Sequence, residues 1–189
     1  SICPLDEEDG LLTSWYENGQ KKLEGTYKDG KQSGLSTYWY EYGQKKGEIS
    51  YKNGLKEGFH SWYENGRKES EGIFKDDERD GLWTWWYENG QKKYEGTFKN
   101  GKKDGLVTTW YENGKKEKEG TIKNGEWDGL YTSWYENGEK KLERTYKDNK
   151  HDGLATDYYK NGNKKIERYY ENDKLISKRE WNEDGSVKE

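Results

Sequence analysis

Large apolar residues recur along the chain at a fixed interval, separated by short polar segments that contain glycine. The best-formed segment, residues 81–104, reads GLWTWWYENGQKKYEGTFKNGKKD, and related segments follow one another with a period of 24 residues. These units open at Gly10, Gly34, Gly58, Gly81, Gly105, Gly129 and Gly153, and the unit from Gly58 is one residue short. Self-similarity at a fixed period is the sequence mark of a repeat architecture.

Each unit contains two turn signals that divide it into two strands. The first is Asn-Gly, as at Asn89-Gly90, and the second is Asn-Gly or Asp-Gly, as at Asn100-Gly101. Asn, Asp and Gly tolerate the positive φ angles that tight hairpin turns require. The runs between the turns are about six residues long and rich in Thr, Trp, Tyr and Phe, which is typical of β-strands.

The pattern therefore predicts an all-β protein, an elongated single-layer antiparallel meander of stacked β-hairpin repeats. Seven units give about fourteen strands, and each unit buries its rings only against its neighbours. We predict seven repeats over residues 10–176, a half-unit cap at residues 1–9 and a degenerate cap hairpin at residues 177–189.

The register of each hairpin decides which side chains share a face. A two-residue Asn-Gly loop would place Trp86 opposite Lys93, whereas a three-residue Glu-Asn-Gly loop with a bulge would shift the pairing by one residue. We predict the second register because it gathers apolar side chains on one face. That face would carry Leu82, Thr84, Trp86, Tyr94, Gly96 and Phe98, with the equivalent sets Leu11, Trp15, Leu23, Tyr27 and Leu130, Trp134, Leu142, Tyr146.

The composition alone would suit a disordered chain, with 28% hydrophobic and 38% charged residues and a mean hydropathy of −1.58. The 16% content of aromatic residues and their periodic placement argue for a folded array instead. The net charge of −4 gives no long-range attraction to phosphate, so nucleic acid is not an expected partner. No run of 18 apolar residues is present, so we predict no transmembrane segment.

The sequence offers no catalytic constellation, and we predict a non-enzymatic protein without cofactor or metal site. The two histidines, His60 and His151, lie in different units, and neither neighbours a cysteine or a nucleophilic serine. The acidic segment 75–81 lacks the ligand spacing of an EF-hand loop. Cys3 permits no internal disulfide, and its role stays open between an ordinary thiol and a lipid-attachment or intermolecular site. Cytosol and cell envelope both stay open as compartments.

The pattern G-L-x-T-x-W-Y-E-N-G-x-K-K-x-E-G-T-Y-K-N-G-K resembles the MORN repeat variant, a family that includes bacterial proteins described as antitoxin-like. The resemblance covers residues 10–173. It implies short β-hairpins stacked into a twisted sheet, with scaffolding, membrane-proximal attachment and protein binding as associated roles. The pattern departs from the family at Gly47 and Ile49, and at Asp77 and Asn149, where the turn glycine is lost; we expect irregular units there.

Protein recognition, including antitoxin-like neutralisation of a partner, is the function that the array favours. The third and fifth positions of each unit vary and are predicted to point away from the packed face. Most are small or polar, so large rings there can mark an interaction patch. The candidate binding residues are Tyr38, Trp83, Trp85 and Tyr131 at these positions, together with Trp127, a large ring that the pattern places in a turn between units. Alternatively, these rings only pack on Tyr40, Tyr87 and Tyr135.

A second function of a different class is the binding of carbohydrate or choline at the cell envelope. Hairpin repeats rich in Trp and Tyr can form platforms for sugars and cages for quaternary amines. The sequence also leaves open whether the end strands pair with a second copy of the chain.

Overall fold

The computed structural model describes residues 9–189, which form an all-β structure without helix. Fifteen strands make one open sheet whose spatial order follows the chain, with antiparallel neighbours. The predicted single-layer antiparallel meander of hairpins is confirmed. The strands are β1 Gly10–Trp15, β2 Lys21–Lys28, β3 Lys31–Trp39, β4 Lys45–Lys52, β5 Leu55–Glu64, β6 Arg67–Lys75, β7 Glu78–Trp86, β8 Lys92–Lys99, β9 Lys102–Trp110, β10 Lys116–Lys123, β11 Glu126–Trp134, β12 Lys140–Lys147, β13 Lys150–Tyr158, β14 Lys164–Glu171 and β15 Lys174–Glu180.

The chain divides into two compact units. Unit 1 runs to Gly90 and includes Lys99–Gly101, and unit 2 contains Gln91–Phe98 and Lys102–Glu189. Of the cap predicted at residues 1–9, only Asp9 is described, and its side chain accepts a hydrogen bond from the Asp29 amide at 2.6 Å. Cys3 lies outside the described residues.

The first turn of the complete repeats has the predicted three-residue loop, and among the described repeats only the short one from Gly58 departs from it. In the first hairpin the Gly19 amide donates to the Tyr16 carbonyl at 3.0 Å, and the Tyr16 amide donates to the Gln20 carbonyl at 2.9 Å. Gly19 closes the loop with a φ of 81°, a conformation that glycine adopts without steric cost. The same pair of bonds recurs around Tyr40, Tyr111, Tyr135 and Tyr159.

The second turn of each repeat is a two-residue loop with positive φ at both positions, as in a type I′ hairpin. Asp29 and Gly30 have φ angles of 49° and 68°. Asp77 and Asn149 occupy the glycine position of two other repeats with φ angles of 66° and 63°. The irregularity expected there is wrong, because Asp and Asn enter the left-handed region more readily than other side chains.

A second irregularity in each hairpin changes which residues share a face. Trp15 pairs with Lys21, as the three-residue loop requires, but the next pair is Ser14 with Leu23 because Lys22 is bulged out of the register. Beyond this bulge the pairing is that of a two-residue loop. The bulge and the loop each shift the strand by one residue, and the two shifts cancel.

The predicted face assignment is therefore wrong. Leu12 shares a face with Gly25, whereas Leu11 shares the opposite face with Thr26. The grouping of Leu11 and Trp15 with Leu23 and Tyr27 fails for this reason, as does the grouping of Leu130 and Trp134 with Leu142 and Tyr146. The bulge sets the Lys and Glu of each repeat on one face, since Lys21 Nζ lies 2.5 Å from Glu24 Oε2.

We name the two faces by their side chains. The ring face carries Leu12, Leu23, Tyr27, Tyr38, Ile49, His60, Trp83 and Trp85 in unit 1 and Val107, Ile122, Trp127, Tyr131, Tyr146 and Ala155 in unit 2. The ladder face carries Leu11, Thr13, Trp15, Lys21 and Glu24 and their equivalents in the other repeats.

Buried apolar side chains lie on the ring face. They are Ile49 and Trp83 in unit 1 and Phe98, Val107, Ile122 and Ala155 in unit 2. Glycines in the strands make room for rings, because a Cβ at Gly72 would lie 2.2 Å from Cδ2 of Trp83. Gly47 accommodates Trp62 in the same way, which explains the departure noted at Gly47.

Substitutions at Leu82 and Trp83 test the face assignment, because the two neighbours point to opposite faces. Trp83 is 2% exposed and Leu82 is 54% exposed. Trp83→Ala should lower the free energy of unfolding by about 3–5 kcal/mol, since it opens a cavity in the packed face. Leu82→Ala should lower it by about 1 kcal/mol or less, since half of that side chain is already hydrated. Urea titrations measure both; equal losses, or a larger loss for Leu82→Ala, would refute the assignment.

Candidate functional site

The described surface contains open depressions where the turns of neighbouring repeats meet. One depression of about 240 Å³ lies between consecutive turns of unit 2, lined by Tyr111, Tyr135, Glu136, Asn137 and Lys160. It brings together no nucleophile with a base. Among residues 9–189 no three side chains of His, Cys, Asp or Glu are grouped as a metal site would need. The faces of the sheet are therefore the candidate sites.

A Lys, a Glu and an aromatic ring form a linked set on the ladder face. Lys21 pairs with Glu24, and its Nζ also lies 5.4 Å from the ring centroid of Trp39 in the next repeat. In unit 2 the Nζ of Lys116 lies 5.7 Å from the ring centroid of Trp134. The ion pairs are Lys21–Glu24, Lys45–Glu48 and Lys68–Glu71 in unit 1 and Lys92–Glu95, Lys116–Glu119, Lys140–Glu143 and Lys164–Glu167 in unit 2. Each exposed cation–π contact contributes about 0.5–1 kcal/mol.

An exposed apolar residue of each repeat lies on the same face, and we call this set the leucine row. In unit 1 the row contains Leu11, Leu35, Phe59 and Leu82, and in unit 2 it contains Leu106, Leu130 and Leu154. Their exposed fractions run from 46% for Phe59 to 71% for Leu11. Within each unit, successive members are two strands apart, or about 9–10 Å. The prediction that Leu11, Leu82 and Leu130 lie on the packed face is wrong, because all three are exposed.

Side chains at the three-residue turns bind the turn of the next repeat. The Tyr16 hydroxyl donates to the Trp39 carbonyl at 2.9 Å, and Asn18 Nδ2 donates to the Glu41 carbonyl at 2.8 Å. Tyr111, Tyr135 and Tyr159 make the equivalent bond in unit 2. The Tyr and Asn of the repeated motif therefore join neighbouring repeats and are unsuited to a partner-specific role.

Three of the predicted binding residues lie on the ring face of unit 1. Trp83 stacks on Trp85 at 5.4 Å between centroids and donates its Nε1 hydrogen to the Ile73 carbonyl at 2.9 Å. The Arg79 guanidinium lies 4.9 Å from the Trp83 ring and 5.1 Å from the Trp85 ring. Tyr38 lies apart from this pair, 6.2 Å from Trp62. The burial of Trp83 gives it a packing role, whereas Tyr38 and Trp85 stay partly exposed.

The other two predicted residues are in contact on the ring face of unit 2. Trp127 and Tyr131 meet edge to face at 5.0 Å, and Tyr146 lies beyond both. His151 continues this row, 4.7 Å from Tyr146 and 5.2 Å from Tyr170. All five rings of this row are half-buried, so they pack on one another and keep one edge accessible.

Charged side chains replace the rings on the ring face near the end of unit 2. Asp157 pairs with Arg144 and, at 2.8 Å, with Arg168. Burial alone would raise the pKa of Asp157, but the hydrogen bonds from both guanidinium groups outweigh it and hold this pKa below its usual value. The carboxylate stays ionised and neutralises part of the basic pair.

A comparison with protein families gives a repeated match. The sequence model of the MORN repeat variant matches residues 8–29, 32–53, 79–100, 103–124, 127–148 and 152–172, well over half of the chain. The chain belongs to the MORN repeat variant family. MORN repeats generally serve as protein- or membrane-binding modules and are not typically catalytic. The match carries no toxin–antitoxin assignment. A comparison with curated proteins finds no match.

The interval of residues 54–78, which the MORN match omits, contains the short repeat. Its hairpin β5–β6 forms nevertheless, with a two-residue loop at Asn65-Gly66 that pairs Glu64 with Arg67. The missing residue precedes Trp62, so this ring joins the ring face, while the equivalent tryptophan directly before the first turn of a complete MORN repeat, such as Trp15, lies on the ladder face. The short unit is visible in the sequence, but the change of face at Trp62 was not predicted from it.

The short MORN repeat also brings His60 into the ring face. His60 is 2% exposed, lies 5.0–5.5 Å from the rings of Trp62, Phe74 and Trp83, and its Nδ1 finds no hydrogen-bond partner among residues 9–189. Burial, together with the nearby cations Lys56 and Arg79, lowers the pKa of His60 to about 4. The neutral imidazole therefore serves as an apolar filler and is unsuited to act as a base.

The burial of His60 in the short MORN repeat should make the free energy of unfolding depend on pH. The pKa of His60 is lower in the folded protein than the ordinary 6.5, so its stabilising contribution is complete above pH 6.5 and is lost as the pH falls toward 4. The urea midpoint should therefore fall more between pH 7 and pH 5 for the native protein than for His60→Phe. An equal fall in both proteins would show that His60 is not buried in its neutral form.

No helix among the described residues is both long and apolar enough to cross a membrane.

Proposed function

We propose that this MORN repeat protein is a non-catalytic scaffold that binds a protein partner through the leucine row of its ladder face. The observation that carries the proposal is the regular exposure of one large apolar side chain per repeat, such as Leu106, Leu130 and Leu154. Large apolar side chains that a folded protein leaves in water in a regular row, rather than scattered singly, can mark an interaction site.

The chemistry beside the row favours a protein over a polyanion. The Lys and Glu next to the leucines are paired with each other, as in Lys116–Glu119, so they present little uncompensated charge. Threonines of the adjacent strands, such as Thr121 beside Leu106, add a polar but uncharged border. A partner that offers apolar side chains about 9–10 Å apart would match the spacing of alternate strands.

The partly exposed rings of the ring face provide a second surface for the same class of partner. The accessible rings of this surface are Tyr38 and Trp85 in unit 1 and Trp127 and Tyr131 in unit 2. Trp83 is not included because it is buried. Neutralisation of a toxin by such binding would be one instance of the activity, and identification of the partner would decide it.

No specific observation favours carbohydrate or choline binding as a second function. A cage for a quaternary amine needs ring faces that are open to a cation. The protein's own lysines already lie over most tryptophans of the ladder face, as Lys21 does over Trp39. We therefore propose protein binding alone.

Replacing part of the row with threonine tests the proposal, because threonine suits a strand and removes the apolar surface. The variant Leu106→Thr/Leu130→Thr/Leu154→Thr should keep its thermal midpoint within a few degrees and lose at least about tenfold of its partner capture, as loss of several apolar contacts implies. Quantitative cross-linking and affinity capture in cells measure the loss.

The matched control is Glu136→Thr/Lys160→Thr/Glu183→Thr, which changes three exposed side chains at the turns, away from the leucine row. It should capture partners as well as the native chain does. Undiminished capture by the leucine variant would contradict the proposal. Equal co-sedimentation of both variants with lipid vesicles, without protein capture, would replace it with membrane binding.

A further inference from the structure

We propose that Asn65 is a site of spontaneous deamidation and isoaspartate formation, set apart by the fold from the other Asn-Gly pairs of the chain. The sequence contains nine such pairs, at Asn18, Asn53, Asn65, Asn89, Asn100, Asn113, Asn124, Asn137 and Asn161. Because glycine offers no side chain to obstruct the approach, Asn-Gly is the sequence in which the following amide attacks most readily.

The reaction uses groups of the chain and water. The backbone nitrogen of Gly66 attacks Cγ of Asn65, the new N–Cγ bond closes a five-membered succinimide, and the Cγ–Nδ2 bond breaks. The Gly66 amide proton passes through solvent to the leaving group, which departs as ammonia. Water then opens the ring at either carbonyl and gives aspartate or isoaspartate. One amide and one water therefore become one carboxyl group and one ammonia.

In the three-residue turns both reacting groups are held. Asn18 accepts from the Gln20 amide at 3.0 Å and donates to the Glu41 carbonyl at 2.8 Å. The amide nitrogen that would attack, that of Gly19, donates to the Tyr16 carbonyl at 3.0 Å. Glycines in the same setting make the same backbone bond at Gly90, Gly114, Gly138 and Gly162. Each must break this bond before it can react.

In the two-residue turns at the opposite ends of the strands, the amide nitrogen of glycine is also engaged. Gly54 donates to the Gln32 carbonyl of the preceding repeat at 2.8 Å. Gly101 donates to Arg79 in unit 1, and Gly125 donates to Lys103 in unit 2, both at 3.0 Å. These bonds exist because successive two-residue turns lie side by side.

Asn65 lies in a two-residue turn, at the end of the strands where the other repeats have three-residue turns. Its φ is 51° and that of Gly66 is 73°, and both residues are exposed. Neither the Gly66 amide nor the Asn65 side chain has a hydrogen-bond partner among residues 9–189. Arg67, which bonds the Glu88 carbonyl, makes the contact between repeats that the turn Asn makes elsewhere. The missing residue of this repeat thus leaves its Asn-Gly pair unprotected.

Peptide mapping by mass spectrometry tests this inference with eight internal controls. The full-length protein is incubated at mildly alkaline pH and 37 °C, and deamidation is followed at all nine Asn-Gly pairs. Asn65 should react at least about tenfold faster than each of the others, because their opening must precede attack. Equal or slower reaction at Asn65 would overturn the inference.

The same incubation in concentrated urea separates the fold from the local sequence. The unfolded chain should deamidate at all nine pairs at similar rates, because no amide is then engaged. If Asn65 kept its full advantage in urea, the residues around it rather than the turn would set the rate, and the inference would be wrong. Asn65→Gln should abolish the fast product and leave the other eight rates unchanged.

Discussion

The constraint on which the structure depends is that each repeat is held only by its neighbours, because the described sheet has no second layer to cover it. Three kinds of contact satisfy this constraint. Rings pack over strand glycines on the ring face, as Trp83 does over Gly72. Lysines lie over the tryptophan of the next repeat on the ladder face. Where the strands end, tyrosine hydroxyls donate to the next repeat, and backbone amides of the two-residue turns donate to the preceding one. Stability is then close to a sum of repeat and neighbour terms.

This constraint also decides which surface is left for binding. The side chains that repeat most strictly along the sequence, Leu, Thr, Trp, Lys and Glu, occupy the ladder face, where Lys and Glu pair and Lys covers Trp. Leucine takes no part in these pairs and stays in water, so a partner can bury it without breaking a contact between repeats. The side chains of the ring face vary more between repeats, because each repeat packs its own set of rings. The short repeat shows this most clearly, since His60 packs against Trp62 there.

Much of the fold could be predicted from the sequence because Asn-Gly and Asp-Gly report backbone conformation directly. They placed the turns, the strands and the three-residue loop. The faces could not be predicted, because the bulge at Lys22 has no distinctive residue and one shifted position reverses every side chain. The five candidate binding residues do lie on ring faces, yet the burial of Trp83 depends on Gly72 and Phe74 of the neighbouring strand. That pairing follows only from the register.

Native-state hydrogen exchange of Tyr135→Phe tests the central claim, that repeats are held by neighbours, most directly. The substitution removes one hydroxyl, which donates to the Tyr158 carbonyl at 3.0 Å, and leaves the ring in place. The account predicts a loss of protection worth about 0.5–1.5 kcal/mol that is confined to β11–β14, the strands of the two repeats that this bond joins. A uniform loss of protection along the whole chain would contradict the account, since it would show one cooperative core.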